Sequence, residues 1–296
     1  MIEKLPFQTT CEDGVQLKGM VIKPVAPKAV VQFNCGTAAK KEFYLPFLTY
    51  LAENGYACCL WDYRGSGESA PGTLKGCDYT YRDYGQQDMP AIKKYLQKEH
   101  PDLPLLLFVH SAGGQQVGFM DDLTDYTGMV GFGVSTGYAP NMPFSYRMQS
   151  NFFFYFFTPL SNRIFGYLKA KQFGIMEDLP RNVVNEWKAW CSKENYFFDK
   201  AFANQTVSVS NYKDIPFPIH IFWTPDDPIS NQQNSHNFWK HVSSQQSLTL
   251  EELNPDALGI PKIEHFGFFK KKMKDKLWPK GLKKLDEMVA GGSGSY

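Results

Sequence analysis

The stretch Leu105-Leu-Leu-Phe-Val-His-Ser-Ala-Gly-Gly114 constrains the fold of this chain more than any other. Its apolar run is too short for a helix, stops at His110-Ser111, and is followed by two glycines. That pattern predicts a fully buried strand running into a tight turn with a serine at its tip. Strand, serine, turn and helix in that order make a nucleophile elbow, which lifts a hydroxyl above the edge of a sheet. The alternative is an ordinary strand–loop serine. Which reading holds depends on whether the chain supplies the partners that a serine nucleophile requires.

Around this segment strands alternate with helices. Two alternating runs, Leu5–Thr10 and Val15–Ile22, flank Asp13-Gly14 and predict a hairpin. A short buried strand is expected at Ala29–Phe33, and further strands at Tyr56–Trp61, Met129–Val134, Phe217–Trp223 and Leu248–Leu253. Helices are expected over Phe43–Asn54, Arg82–Glu99, from Ser111 through Met120, and over Asn231–Val242, with a lysine-rich helix beyond His265. Alternation of this kind implies a mostly parallel, doubly wound sheet, opened by the antiparallel hairpin and covered on both faces. It breaks off past Pro140. An interruption over 140–215 is too long for a loop and predicts an inserted helical cap, with 1–139 and 216–290 forming the main domain. A cap leaving from the C-terminal end of a strand covers the crevice where open α/β sheets bind ligands. The tail 291–296 has flexible-linker composition.

Composition narrows the function classes. A formal net charge of +1 on 296 residues argues against a general nucleic-acid binder, which needs a basic surface. No apolar stretch approaches the ~20 residues of a membrane span, and the N-terminus lacks the apolar core of a signal peptide. The six cysteines include no C-x-x-C pair, so neither zinc nor a disulfide framework is expected. Adjacent Cys58 and Cys59 would point to opposite faces of a buried strand. A reduced, cytoplasmic setting fits this usage best.

A serine hydroxyl needs a base within hydrogen-bond reach, and the base needs an acid to orient it. On the elbow scaffold these follow in the order serine, acid, histidine. His100 precedes the serine and His110 abuts it; His220 falls inside a strand, and His236 and His241 share one amphipathic helix. His265, in a loop after the last strand, is the candidate base. The acid belongs after the penultimate strand, in Trp223-Thr-Pro-Asp-Asp-Pro-Ile-Ser230. Position favours Asp227, leaving Asp226 to form the turn, although local turn chemistry could exchange the two. An oxyanion hole requires two backbone N–H donors. Ala112 follows the nucleophile; the second lies in Asn34-Cys-Gly-Thr-Ala38, with Thr37 the first choice and Ala38 the second.

Leu105–Gly114, Asp62-Tyr-Arg-Gly-Ser-Gly-Glu-Ser69, Asp226-Asp-Pro228 and His265-Phe-Gly-Phe-Phe269 together resemble the α/β-hydrolase superfamily. More narrowly, the chain resembles a group of predicted α/β hydrolases of about this length, including Glu177–Arg181 and Trp187–Cys191 in the insertion. The resemblance implies an α/β-hydrolase fold with a cap, and serine hydrolysis of carboxylic esters by Ser111, His265 and Asp227. No cofactor or metal is implied, and the partner is a small ester substrate. Thioesterase, acyltransferase or peptidase action with the same residues is the near alternative, and a non-catalytic ligand-binding protein the remoter one. Val109 departs from the family's Gly-x-Ser-x-Gly pattern, placing bulk where the helix crosses the strand.

Two surface features remain. Phe152-Phe-Phe-Tyr-Phe-Phe157 is expected to pack the cap inward and make an apolar pocket, with contact to lipid as the alternative. The lysines of 270–276 and Lys283-Lys284 read as a solvated face, or as a weak attraction to anionic headgroups.

Overall fold

A hairpin opens the sheet because Asp13-Gly14 turns the chain between two alternating strands, β1 (Ile2–Thr10) and β2 (Gln16–Pro24). The computed structural model describes residues 1–292. Six further strands follow: β3 (Ala29–Asn34), β4 (Tyr56–Trp61), β5 (Leu105–His110), β6 (Tyr126–Phe132), β7 (Ile219–Trp223) and β8 (Leu248–Glu252). Their order across the sheet is β1-β2-β4-β3-β5-β6-β7-β8. β2 joins β4 antiparallel, and every pair from β4 to β8 is parallel. Every residue of β3, β4, β5 and β7 is buried, as a parallel sheet covered on both faces demands.

The α-helices are α1 (Leu45–Glu53), α2 (Met89–Glu99), α3 (Ala112–Gln115), α4 (Phe144–Phe152), α5 (Thr158–Phe165), α6 (Arg181–Cys191), α7 (Gln232–Trp239), α8 (Glu264–Gly267) and α9 (Trp278–Gly292). α1 and α9 share one face, where Phe47 meets Trp278, and Phe47 of α1 and Gly281 of α9 lie against Phe108 of β5. Neighbouring residues of a strand point to opposite faces. Phe33 faces that aromatic cluster, and the adjacent Gln32 donates to the Met89 carbonyl of α2 on the other side. The structure is therefore an α/β-hydrolase fold, with its central parallel strands sandwiched between helices.

Several elements differ from the sequence expectation. Helix formation after Ser111 stops at Gln115 and resumes only as a 3₁₀ turn at Val117–Phe119, because Gly113, Gly114 and Gly118 offer little helix propensity. His265 lies on the short helix α8 and not in an open loop. Gly291 and Gly292, expected in the tail, end α9; the rest of that tail lies outside the described residues. The C-terminal lysines are largely partnered: Lys270 faces Glu264, Lys274 faces Glu53, Lys280 faces Glu251, and Lys283 and Lys284 face Glu287.

Two helices contain a π turn, Tyr84–Asp88 before α2 and Phe153–Phe157 between α4 and α5. Each ends two residues before a proline, Pro90 or Pro159. A helix-interior proline donates no N–H to the carbonyl four residues back and crowds it with its ring, so the turn widens.

Candidate active site

β5 delivers Ser111 to the C-terminal edge of the sheet in a conformation that L-residues seldom adopt, with φ 50° and ψ −121°. The surroundings hold this strain in place. Ser111 N–H donates to the Phe132 carbonyl of β6 at 3.1 Å, and the N–H groups of Gly114 and Gln115 donate back to the Ser111 carbonyl at 3.0 and 3.3 Å. The valine that departs from the family pattern finds room on the neighbouring strand. Val109 is paired in register with Gly131 of β6, and a Cβ at Gly131 would fall 2.6 Å from Val109 Cγ2. Gly114 makes the same allowance from the helix side, at 2.8 Å.

The loop after β7 brings both aspartates to His265, in different ways. Asp227 is 1% exposed, and its Oδ2 accepts from His265 Nδ1 at 2.7 Å. Its Oδ1 closes the turn, accepting the N–H groups of Ile229 and Ser230 at 2.8 Å each. Asp226, expected as the turn former, instead reaches the segment that carries His265. Its Oδ2 accepts from Ile263 N–H at 2.7 Å, and its Oδ1 from Glu264 N–H at 3.2 Å and from the Thr224 hydroxyl at 2.6 Å. Glu264 is held at φ 59° immediately before the histidine. One carboxylate thus binds the imidazole while its neighbour fixes the backbone beneath it. The doubled aspartate signals this in the sequence, once a carboxylate's two oxygens are counted separately.

His110 has a role that its position beside the serine does not disclose. It is fully buried, and its Nε2 lies 2.9 Å from the His265 carbonyl, which can only accept, so Nε2–H donates. Nδ1 then accepts from the Tyr44 hydroxyl at 2.8 Å, and Tyr44 oxygen accepts Gly36 N–H at 3.3 Å. Burial, reinforced by the neighbouring His265, holds His110 well below its ordinary pKa and so neutral. Burial likewise raises Tyr44 well above the usual phenol range, keeping its proton for this bond. A chain of hydrogen bonds therefore joins the loop after β3 to the segment bearing His265. Nothing in the sequence pointed to Tyr44, which falls inside a helix expected on periodicity alone and in the structure stands immediately before α1.

In the loop after β3, Gly36 N–H is engaged by Tyr44 and Ala39 N–H by the Gly36 carbonyl. Thr37 and Ala38 remain as its candidate donors. The Thr37 hydroxyl bonds the buried Tyr81 hydroxyl, and Ala38 is twisted to φ 54°. Ala112 stands at the first position of α3, where backbone N–H groups lack intrahelical acceptors.

Ser111, His265, Thr37, Ala38 and Ala112 all line one cavity of about 1060 Å³. Most of its wall is apolar, from Phe43, Met142, Phe153, Phe157, Trp187 and Phe266 among others. Glu177 is the one carboxylate among the described residues lining it, and Lys171 neutralises it at 2.8 Å.

The other histidines are occupied elsewhere. His220 Nε2 lies 2.9 Å from Glu251 on β8, His241 bonds Asn195 and stacks on Phe198, and His236 is exposed. All six cysteines are free thiols; Cys77 is half-buried and the rest are buried. Among the described residues no group of His, Cys, Asp and Glu is arranged to hold a metal ion, and no helix is long and apolar enough to cross a membrane.

A family model described as serine aminopeptidase, S33, matches residues 25–178, just over half of the chain. No curated protein matches it. Among solved structures, a soluble variant of monoglyceride lipase from Saccharomyces cerevisiae, in complex with a substrate analog, is similar at 16% identity. The alignment covers 96% of each chain, with a TM-score of 0.67. A thermostable carboxyl esterase from Bacillus coagulans, in complex with glycerol, is 15% identical over 97% of this chain and 99% of that one, with a TM-score of 0.60. An esterase from Pyrococcus furiosus is 17% identical over 98% and 91%, with a TM-score of 0.59. At such identities the likeness is one of fold.

Proposed function

Because the chain belongs to the family described as serine aminopeptidase, S33, and is an α/β-fold serine hydrolase, we propose that it cleaves carboxylic esters with apolar acyl or aromatic groups. Ser111 is the nucleophile, His265 the base and then the acid, and Asp227 the orienting carboxylate. The observation that carries this reading is the 2.7 Å bond from His265 Nδ1 to a buried Asp227, with the histidine and a strained Ser111 lining the same apolar cavity.

With Nδ1–H donated to Asp227, the lone pair of His265 is on Nε2, the nitrogen that can take the serine proton. Ser111 Oγ attacks the ester carbonyl as Nε2 takes its proton. The tetrahedral oxyanion is held by the N–H groups of Ala112 and Thr37, with Ala38 the alternative donor in that loop. The imidazolium, stabilised by Asp227, protonates the leaving alcohol. Water then attacks the acyl-enzyme by the same route and releases the acid. No cofactor or metal enters these steps. Residues 140–215 act as a cap whose inner aromatics give the apolar wall.

The family description also brings peptide hydrolysis into view. Recognition of a peptide's ammonium terminus calls for an unpaired carboxylate. The one carboxylate lining the cavity among the described residues is already neutralised by Lys171, which favours an uncharged ester. A fluorophosphonate probe should label Ser111 stoichiometrically. Ser111→Ala should abolish both labelling and turnover of short p-nitrophenyl esters, by at least ~10³-fold, while folding normally. Unchanged turnover in that variant would overturn the assignment. Folded wild-type protein that takes no label would instead indicate a ligand-binding role.

A further inference from the structure

α4, the π turn and α5 form one helix over 144–165, closed by Gly166 in the left-handed conformation. Along it Phe144, Met148, Phe152, Phe156, Leu160 and Ile164 recur every fourth residue, and each is between 46% and 69% exposed. Each four-residue step overshoots an α-helical turn by about 40°. The wider π turn at mid-length offsets part of that drift, so one ridge stays outside for the whole length. Phe152 stacks on Phe156 at 5.2 Å between centroids, exposed Phe173 meets Phe157 of the same helix, and exposed Ile175 lines the cavity together with Met148 and Phe152. Exposed apolar area on the order of several hundred Å² in one patch marks an interaction surface.

Charge identifies the partner. Between Asp125 and Glu177 the sequence contains no acidic residue, while Arg147, Arg163, Lys169 and Lys171 are present. Arg163 and Lys169 make no ion pair among the described residues. Arg147 lies over Phe144 at 5.5 Å, Lys169 over Phe165 at 4.7 Å, and Lys188 over Tyr155 at 4.5 Å. Cations held over the aromatic rings of an exposed apolar helix suit a boundary between acyl chains and anionic headgroups. Met148, Phe152 and Ile175 belong both to this exposed surface and to the wall of the cavity. The ridge therefore runs into the cavity mouth.

We propose that the ridge docks the protein on a phospholipid surface bearing anionic headgroups, with the cavity opening towards the lipid. The inference rests on the ester-hydrolase reading for its consequence: substrates are esters held in that surface and reach Ser111 past Met148 and Phe152 without crossing water.

Flotation with vesicles of phosphatidylcholine and phosphatidylserine tests the docking, with the full chain carrying Ser111→Ala so that no turnover is involved. This protein should float with the vesicles. Adding Phe144→Ser, Phe156→Ser and Ile164→Ser, none of which lines the cavity, should weaken partitioning at least ~10-fold; a melting transition within a few degrees of the parent's checks the fold. Failure of the parent to float, or equal flotation of the triple variant, would overturn the proposal. So would a parent that sediments as a dimer, fails to bind vesicles and becomes monomeric on the triple substitution, since the ridge would then join two copies. Failure of the hydrolase reading is seen separately, in fluorophosphonate labelling.

Discussion

At the residue scale, the candidate centre depends on groups outside the set of Ser111, Asp227 and His265. Asp226 holds two N–H groups ahead of His265, and His110 holds the His265 carbonyl. Chain order alone could nominate Ser111, Asp227 and His265, because the elbow scaffold fixes that order. It could not nominate Tyr44 and His110, whose role arises from packing between segments 66 residues apart. The neutral state of His110 has a measurable consequence. In the unfolded chain it titrates near the ordinary value of 6.5, whereas in the fold its pKa is depressed. As pH falls through 6.5, the unfolded chain gains a proton that the folded state refuses, so stability falls. The loss can reach about 1.4 kcal/mol per pH unit until the buried ring itself titrates. His110→Gln, which keeps a donor for the His265 carbonyl, should be less stable at neutral pH. Its urea midpoint should also depend less on pH between about 6.5 and 5 than that of the wild type. Equal slopes in the two proteins would show that the histidine is not held neutral.

At the element scale, the central strands were legible because burial on both faces leaves a short continuous apolar run with no other use. The helices were less so. Phe152–Phe157 reads as uniformly apolar, and only its placement on a helix divides it: Phe153, Phe154 and Phe157 turn towards Trp187 and Phe173, while Phe152, Tyr155 and Phe156 face outward. A run without polar markers hides its own amphipathicity. Val109 is the converse case, a departure visible in sequence whose compensation lies on another strand. The contact predicts non-additivity. Gly131→Ala should destabilise by about 1–3 kcal/mol through overpacking, and Val109→Ala should also destabilise by removing buried methyls. Combined, the two should cost less than their sum by at least ~0.5 kcal/mol, because the shortened side chain vacates the space the new methyl needs. Strict additivity in urea unfolding would mean that the strain falls on Ile221, whose Cδ1 lies 2.7 Å from the same Cβ position.

At the scale of the whole molecule, the segment 140–215 was legible as an interruption of the α/β alternation, but its two halves are held unequally. The second half is bound into the core. α6 buries Val183, Val184, Trp190 and Cys191, the Tyr196 hydroxyl donates to Gln115 Oε1 at 3.1 Å, and the Tyr212 hydroxyl donates to the Gln115 carbonyl at 2.6 Å. Arg82 ties α6 and the chain beyond it back to the sheet domain, its backbone N–H donating to Glu186 and its guanidinium to the Thr206 carbonyl. The first half has little of this. α4 buries no residue at all, and α5 buries only Thr158, Ser161 and Asn162. Regions with few buried apolar contacts open at a lower free energy than the core. Native-state hydrogen exchange should therefore show amides of 144–165 opening well below the free energy of β5, with α6 close to β5. Vesicles of phosphatidylcholine and phosphatidylserine should slow exchange in 144–165 selectively, since lipid would supply the burial that this half lacks. Protection in 144–165 equal to that of β5 without lipid would show the two halves to be one cooperative unit, and the ridge a rigid surface.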